Sequence, residues 1–296
     1  MLRGRLGLNL GLLLVVLLLG TLAYLKPGRQ ADSIKPWLAV AKDQIGHVVL
    51  EHGQKIVFDK KDGVWEMTAP FRAPVNPVRL DQLLEIGMTP SDGEYPLEGR
   101  DLKLFGLDRP LATLTLGDTV IQFGGVDPLK RRRYVRSGER LFLVKDGFTH
   151  HLNAAATDYV DKKLLPEVAV PVSIEIPGLK AVLSADGKWA SEQKLDGMDL
   201  GDWAMHWSTA RAIEVRRMEQ PVKGETIRIG LKNQELVEFT VLSRLPELTL
   251  ARKDLGLIFV MTTETSRDLL HLPKPESAKG ATDLQAPEHD HQGPEP

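Results

Sequence analysis

The chain has 296 residues and no cysteine. That single absence excludes disulfides, thiolate nucleophiles, Cys-ligated zinc and iron–sulfur clusters together. It also removes the lipidated cysteine by which a bacterial lipoprotein is held. An excess of charge is missing as well: 38 Lys and Arg stand against 40 Asp and Glu, so no global field points to nucleic acid as a partner. Catalytic signatures are lacking too. There is no Walker-type phosphate loop and no HExxH or GxSxG. Asp101, Asp108 and Asp127 lie beside turns, where Asp is favoured for its own backbone hydrogen bonds. A carboxylate pair assembled by the fold keeps an uncharacterised hydrolase as the third reading. No cofactor and no metal are expected. With 42% hydrophobic residues, the chain has instead the means to build a core without cross-links.

The longest apolar run is LGLNLGLLLVVLLLGTLAYL, Leu6 to Leu25. Twenty uncharged residues are enough to cross a hydrocarbon layer of roughly 30 Å as a helix. A cleaved signal peptide is the rival, with a cleavage site at Thr21-Leu22-Ala23, but the run continues past that site. The expected organisation is a cytoplasmic start at residues 1–5, favoured by Arg3 and Arg5, then a transmembrane helix over 6–25 and a linker over 26–39. An ectodomain of two repeats follows, 40–166 and 167–272, in the periplasm. Residues 273–296, rich in Pro, Gly and charge, are expected to be a disordered tail.

Within the ectodomain, alternation marks strands. Val172, Ile174 and Ile176 are separated by Ser173 and Glu175, Pro177-Gly178 turns the chain, and "LKAVLS" returns. Then comes a motif that occurs twice, Asp62-Gly63-Val64-Trp65 and Asp186-Gly187-Lys188-Trp189. Asp-Gly suits tight hairpins because glycine accepts positive φ without a Cβ clash. Each copy continues with a helix, capped by Asn76 before Pro77 in the first and by Asp199 in the second. Trp203 and Trp207 fall on one face of the latter and read as core. More strands follow each helix. The expected fold is α+β: mostly antiparallel sheets with a few short helices in two related lobes, with Asp62, Gly63, Trp65, Asp186, Gly187 and Trp189 as markers of an internal repeat.

The candidate binding residues are Lys130, Arg131, Arg132, Arg133, Tyr134 and Arg136, in the run KRRRYVR. On a strand, Arg131 and Arg133 would share one face, fit for anionic headgroups, an envelope polymer or an acidic partner surface. The competing reading is an edge guarded against aggregation by charge. His150 and His151 would point about 100° apart on a helix and cannot both face one metal. His47 and His52 flank a hairpin across which they could meet, but no third ligand is spaced nearby, and a structural role is the expectation for both. The tail sequence EHDH, residues 288–291, carries ligand-type side chains.

Four stretches, "DGVWEMTAPFRAPVNPVRLDQLLEIG", "LKLFGLDRPLATLTLG", "RRYVRSGERLFLV" and "DYVDKKLLP", together resemble the DUF4340 family over roughly residues 40–270. The most specific piece is FGLD-x-P, Phe105 to Pro110. The resemblance implies a bacterial, membrane-anchored, extracytoplasmic protein that accompanies ABC-type transport components, and it implies no catalytic residues. The expectation is therefore a single-pass inner-membrane accessory or scaffold protein with a protein partner in an envelope or ABC-transport complex. The alternative is a binding module for an envelope polymer or anionic lipid at residues 130–136.

Overall fold

Period-two burial, carried largely by β-branched, leucine and aromatic side chains, commits most of this chain to strands. The computed structural model describes residues 11–21, 37–38, 41–129, 131–193 and 199–270. Both ends of the expected anchor, most of the expected linker, Lys130 and the tail with EHDH lie outside them. The chain divides into two units, Met1–Asp161 and Lys162–Pro296.

Unit 1 begins with helix α1, described over residues 11–21. Among the described residues no helix is long and apolar enough to cross a membrane. The strands are β1 (His47–His52), β2 (Gln54–Lys61), β3 (Val64–Ala69), β4 (Ala73–Pro74), β5 (Ser91–Pro96), β6 (Ala112–Leu116), β7 (Thr119–Val126), β8 (Arg132–Ser137) and β9 (Arg140–Lys145). They form one sheet in the order β4-β3-β2-β1-β6-β7-β8-β9-β5, antiparallel throughout. Helix α2 (Pro77–Ile86) lies between β4 and β5, and α3 (Thr149–Leu152) follows β9. Asn76 Oδ1 accepts hydrogen bonds from the Val78 and Arg79 amides, which satisfies two orphan donors of α2. Leu80, Leu83, Leu84 and Ile86 bury one face of that helix. Each such side chain contributes roughly 1.5–3 kcal/mol when fully buried. Trp37 pins the incoming chain: its indole donates to the Ile86 carbonyl at 3.1 Å and its ring lies 5.2 Å from Phe142.

Unit 2 repeats this path. Its elements are β10 (Pro171–Ile176), β11 (Leu179–Leu183), β12 (Trp189–Ser191), α4 (Leu200–Thr209), β13 (Glu214–Arg217), β14 (Glu225–Leu231), β15 (Leu236–Ser243), β16 (Leu248–Arg252), β17 (Leu257–Met261) and α5 (Thr263–Leu270). The sheet order is β12-β11-β10-β14-β15-β16-β17-β13. Leave out two-residue β4, and both sheets have one topology. Three strands step outward, a helix crosses, the next strand takes the far edge, and four strands fill the gap. Asp199 Oδ1 caps α4 through the Gly201 and Asp202 amides. Trp203 and Trp207 are fully buried, and both indoles donate to the Leu269 carbonyl of α5, at 2.9 and 3.2 Å.

The two Asp-Gly-x-Trp stretches do form hairpins, but not the same one. Lys61 pairs with Val64, leaving Asp62 and Gly63 as a two-residue loop with φ of 51° and 83°. Positive φ at both positions is the turn whose twist matches antiparallel strands. In unit 2 the loop runs Ala185-Asp186-Gly187, closed by hydrogen bonds from Ser184 to Lys188 and from Gly187 to Ser184. There only Gly187 takes positive φ, 81°. Both Trp65 and Trp189 are half-buried on their short strands.

The hairpin histidines take separate structural partners, and the expected pleating of the basic run needs correction. His47 and His52 occupy opposite ends of β1 and never meet: His47 Nδ1 bonds Asp59 Oδ1 at 2.6 Å, and His52 Nδ1 bonds the Leu111 carbonyl at 2.7 Å. Arg131 lies ahead of β8, at φ 52°, so pleating does not place it beside Arg133.

Candidate functional site

The run from Arg131 to Arg136 is built into β8 and the turn before it. Arg133 is the surprise, because its side chain points to the buried face. It is 7% exposed. Its Nε and Nη2 donate to Asp146 Oδ2 at 2.8 and 2.6 Å, and its Nη1 donates to the Gly124 carbonyl at 2.6 Å. Asp146 also accepts from the Thr149 amide and hydroxyl, which caps α3. Burial pushes the Asp146 carboxyl up, but the Thr149 and Arg133 hydrogen bonds outweigh it and hold the group below its ordinary 3.8. A guanidinium engaged on three sides within the protein is withdrawn from an external anion.

The neighbouring cations are also engaged. Arg132 pairs with Asp92 on β5, and Arg140 with Glu94 on the same strand. Arg136 donates to the Gly138 carbonyl at 2.9 Å and lies 3.5 Å from Glu139. These exposed pairs are individually worth about 0–1 kcal/mol, but they tie β8 and β9 to the edge strand β5. Lys130 lies outside the described residues, and Arg131 is exposed. The structure thus separates the five described candidate residues rather than gathering them into one anion-facing surface.

Tyr134 belongs to a different arrangement. Its ring meets Phe105 edge-on at 5.0 Å, beside a small cluster of Leu97, Leu107 and Leu141. Its hydroxyl lies 3.5 Å from Asp127 Oδ1. Burial, then the Asp127 carboxylate, push the phenol above its ordinary range. Phe105 ends a short 3-10 turn, Leu102–Phe105, capped by Asp101, which accepts from the Lys103 amide. Gly106 then takes φ 64°, and a Cβ there would come within 2.9 Å of the Gly125 amide. A Cβ on Gly124 would stand 2.3 Å from the Phe105 carbonyl oxygen. The Phe-Gly-Leu turn therefore needs Gly106 for its backbone and Gly124 for its seat on β7. That is the physical content of the FGLD segment.

His150 and His151 stack at 3.8 Å between ring centroids, with His150 exposed. His151 Nδ1 is buried without a hydrogen-bond partner. Burial, then the His150 and Arg79 charges, lower its pKa. Among the described residues, no three of His, Asp and Glu converge as metal ligands. One open cleft of about 530 Å³ in unit 2 is lined by Pro166, Val168, Val170, Leu231, Lys232 and Glu235 among others. It has apolar walls and a single cation and carboxylate at its rim, which is not a convergent polar set.

Residues 65–197 match the family model of DUF4340, a domain of unknown function. This segment belongs to the DUF4340 family. The match runs from β3 through β12, so it holds the Phe-Gly-Leu turn, Gly124 and the Arg133–Asp146 pair. It is narrower than the resemblance over 40–270. No curated protein and no solved structure matches the chain.

Proposed function

We propose that this chain is a membrane-tethered accessory subunit. Its apolar segment, residues 6–25, stays in the inner membrane and holds the two units in the periplasm, beside an ABC-type transport or envelope complex. The observation that carries the reading is the character of α1. A helix belonging to a globular domain shows one polar face. Here Leu12 through Leu19 are each 55–62% exposed, all round the helix, and among the described residues nothing covers them. The eleven described residues account for only about 16 Å at 1.5 Å per residue, whereas the full uncharged run of twenty reaches about 30 Å.

The shared strand order supports a further part of the reading, that the two units arose by internal duplication. A scaffold with two like-folded units offers two similar surfaces to a partner complex. The test is affinity purification of the full chain from mildly solubilised membranes. Near-stoichiometric recovery of transport or envelope subunits is expected, and a chain that purifies alone from its membrane would contradict the accessory role.

A further inference from the structure

At one end of the unit 1 sheet, two leucines stand in solvent with no described residue of the unit covering them. Leu104 is 76% exposed and Leu129 is 90% exposed. We propose that these two leucines, with Lys103 and Arg131 beside them, dip into the anionic surface of the same membrane that holds the chain. The proposal rests on the membrane-tether reading above.

The two tips are held together by a continuous set of contacts. Leu104 precedes Phe105, whose ring lies on Tyr134. The Tyr134 hydroxyl reaches Asp127 Oδ1, and the same carboxylate oxygen accepts the Leu129 amide at 3.4 Å. Gly106 and Gly124 fix the Phe-Gly-Leu turn from behind. The leucines are thus displayed by a preorganised frame, so little conformational freedom is left to lose on insertion.

The polar groups around them sort by direction. Lys103 and Arg131 are exposed, and Lys130 adjoins Leu129 in sequence. Asp101 and Asp127 turn back to cap the Lys103 and Leu129 amides. Asp108 and Arg109, both exposed, offset each other in charge. Protruding apolar tips flanked by cations suit the boundary of headgroups and acyl chains, which accepts them without a matching shape. A stable protein interface would ask for about 800 Å² on each side, more than two leucine tips supply.

Reach allows it. Trp37, where the described chain resumes, sits on Phe142, which pairs with Val135 of β8. Val135 is three residues from Arg132, about 10 Å along a strand. Residues 26–36 span up to about 35 Å when extended.

The cysteine-free chain makes the test clean. Single cysteines replace Leu104, Leu129 or Val64, the last being 70% exposed beside Lys60 and Lys61 at the opposite end of the sheet. Each full-length variant carries an environment-sensitive fluorophore and is reconstituted in phosphatidylcholine vesicles, with or without phosphatidylglycerol, containing a quencher-labelled lipid. Strong quenching at 104 and 129 but not at 64, dependent on phosphatidylglycerol, is expected. Lys103→Gln with Arg131→Gln should then lower the docking equilibrium constant roughly thirtyfold. Unquenched labels at 104 and 129 on a chain that stays in alkali-washed vesicles would overturn the proposal and leave the tether standing. Labels that respond only when a membrane-protein extract is added would assign the surface to a protein, which also overturns it. A chain washed out by alkali would remove the tether, and this inference with it.

Discussion

Removing Asp146 should injure the protein more than removing Arg133, the residue it serves. In Asp146→Ala the guanidinium loses its two bonds to Oδ2 and keeps only the Gly124 carbonyl. Breaking one side of a buried pair costs about 3–5 kcal/mol, because an uncompensated charge remains. The side chains are 9% and 17% exposed, so some water can reach the site, and the lower end, about 3 kcal/mol, applies. Arg133→Met is milder at about 1–2 kcal/mol, since Thr149 and solvent still serve the carboxylate. The double variant Arg133→Met/Asp146→Ala should cost about 2.5 kcal/mol, less than the sum, which gives a coupling near 2 kcal/mol. A chain with two units need not unfold in one step, so the quantity to measure is native-state hydrogen exchange of β7–β9 peptides under mild urea. The pair also has a pH signature. The folded Asp146 pKa is depressed, so its stabilisation is complete above the unfolded value of about 3.9 and is lost as pH falls through the folded value. Additive single costs, or an Asp146→Ala cost below about 1 kcal/mol, would mean that Arg133 is solvated and free to meet an external anion.

Three further outcomes are expected. Gly124→Ala should unseat the Phe-Gly-Leu turn at a cost of several kcal/mol, and limited proteolysis should then cut near residues 98–110, whereas Gly46→Ala, with open space around it, should not. Trp203→Phe and Trp207→Phe should each cost less than half of the pair together, because either indole alone still serves the Leu269 carbonyl; removing both leaves a buried acceptor, adding about 1–3 kcal/mol in chemical unfolding. His151 has a folded pKa below its ordinary 6.5, so the unfolded state binds more protons. The exchange protection of α2 and α3 should therefore weaken as pH is lowered from 7 to 5, and His151→Gln should flatten that dependence.

Much of this architecture can be read from local pattern. Asn76-Pro77 and Asp199 announce their helices because a cap is a short-range contact. The hairpins at Asp62-Gly63 and Pro177-Gly178 are legible because glycine at a turn is a backbone requirement. The edge strands β5 and β13 are not. Ser91–Pro96 and Glu214–Arg217 lack an apolar alternation, and each reaches its place only after a helix carries the chain past four strands not yet formed. The burial of Arg133 is equally hidden. Its partner lies 13 residues on, across a hairpin, and a charge run shows nothing of which face each side chain takes. Nothing in the sequence marks Leu104 and Leu129, because single exposed leucines are ordinary; only the contacts through Phe105, Tyr134 and Asp127 bring them to one place.

The most direct test of the central claim is the fate of the full chain in cell membranes. After alkaline carbonate washing, the account predicts that it stays in the membrane pellet at full length, and that protease added to intact spheroplasts digests everything beyond the apolar segment. Release into the supernatant, or protection of both units from external protease, would contradict a protein held outside the cytosol by residues 6–25.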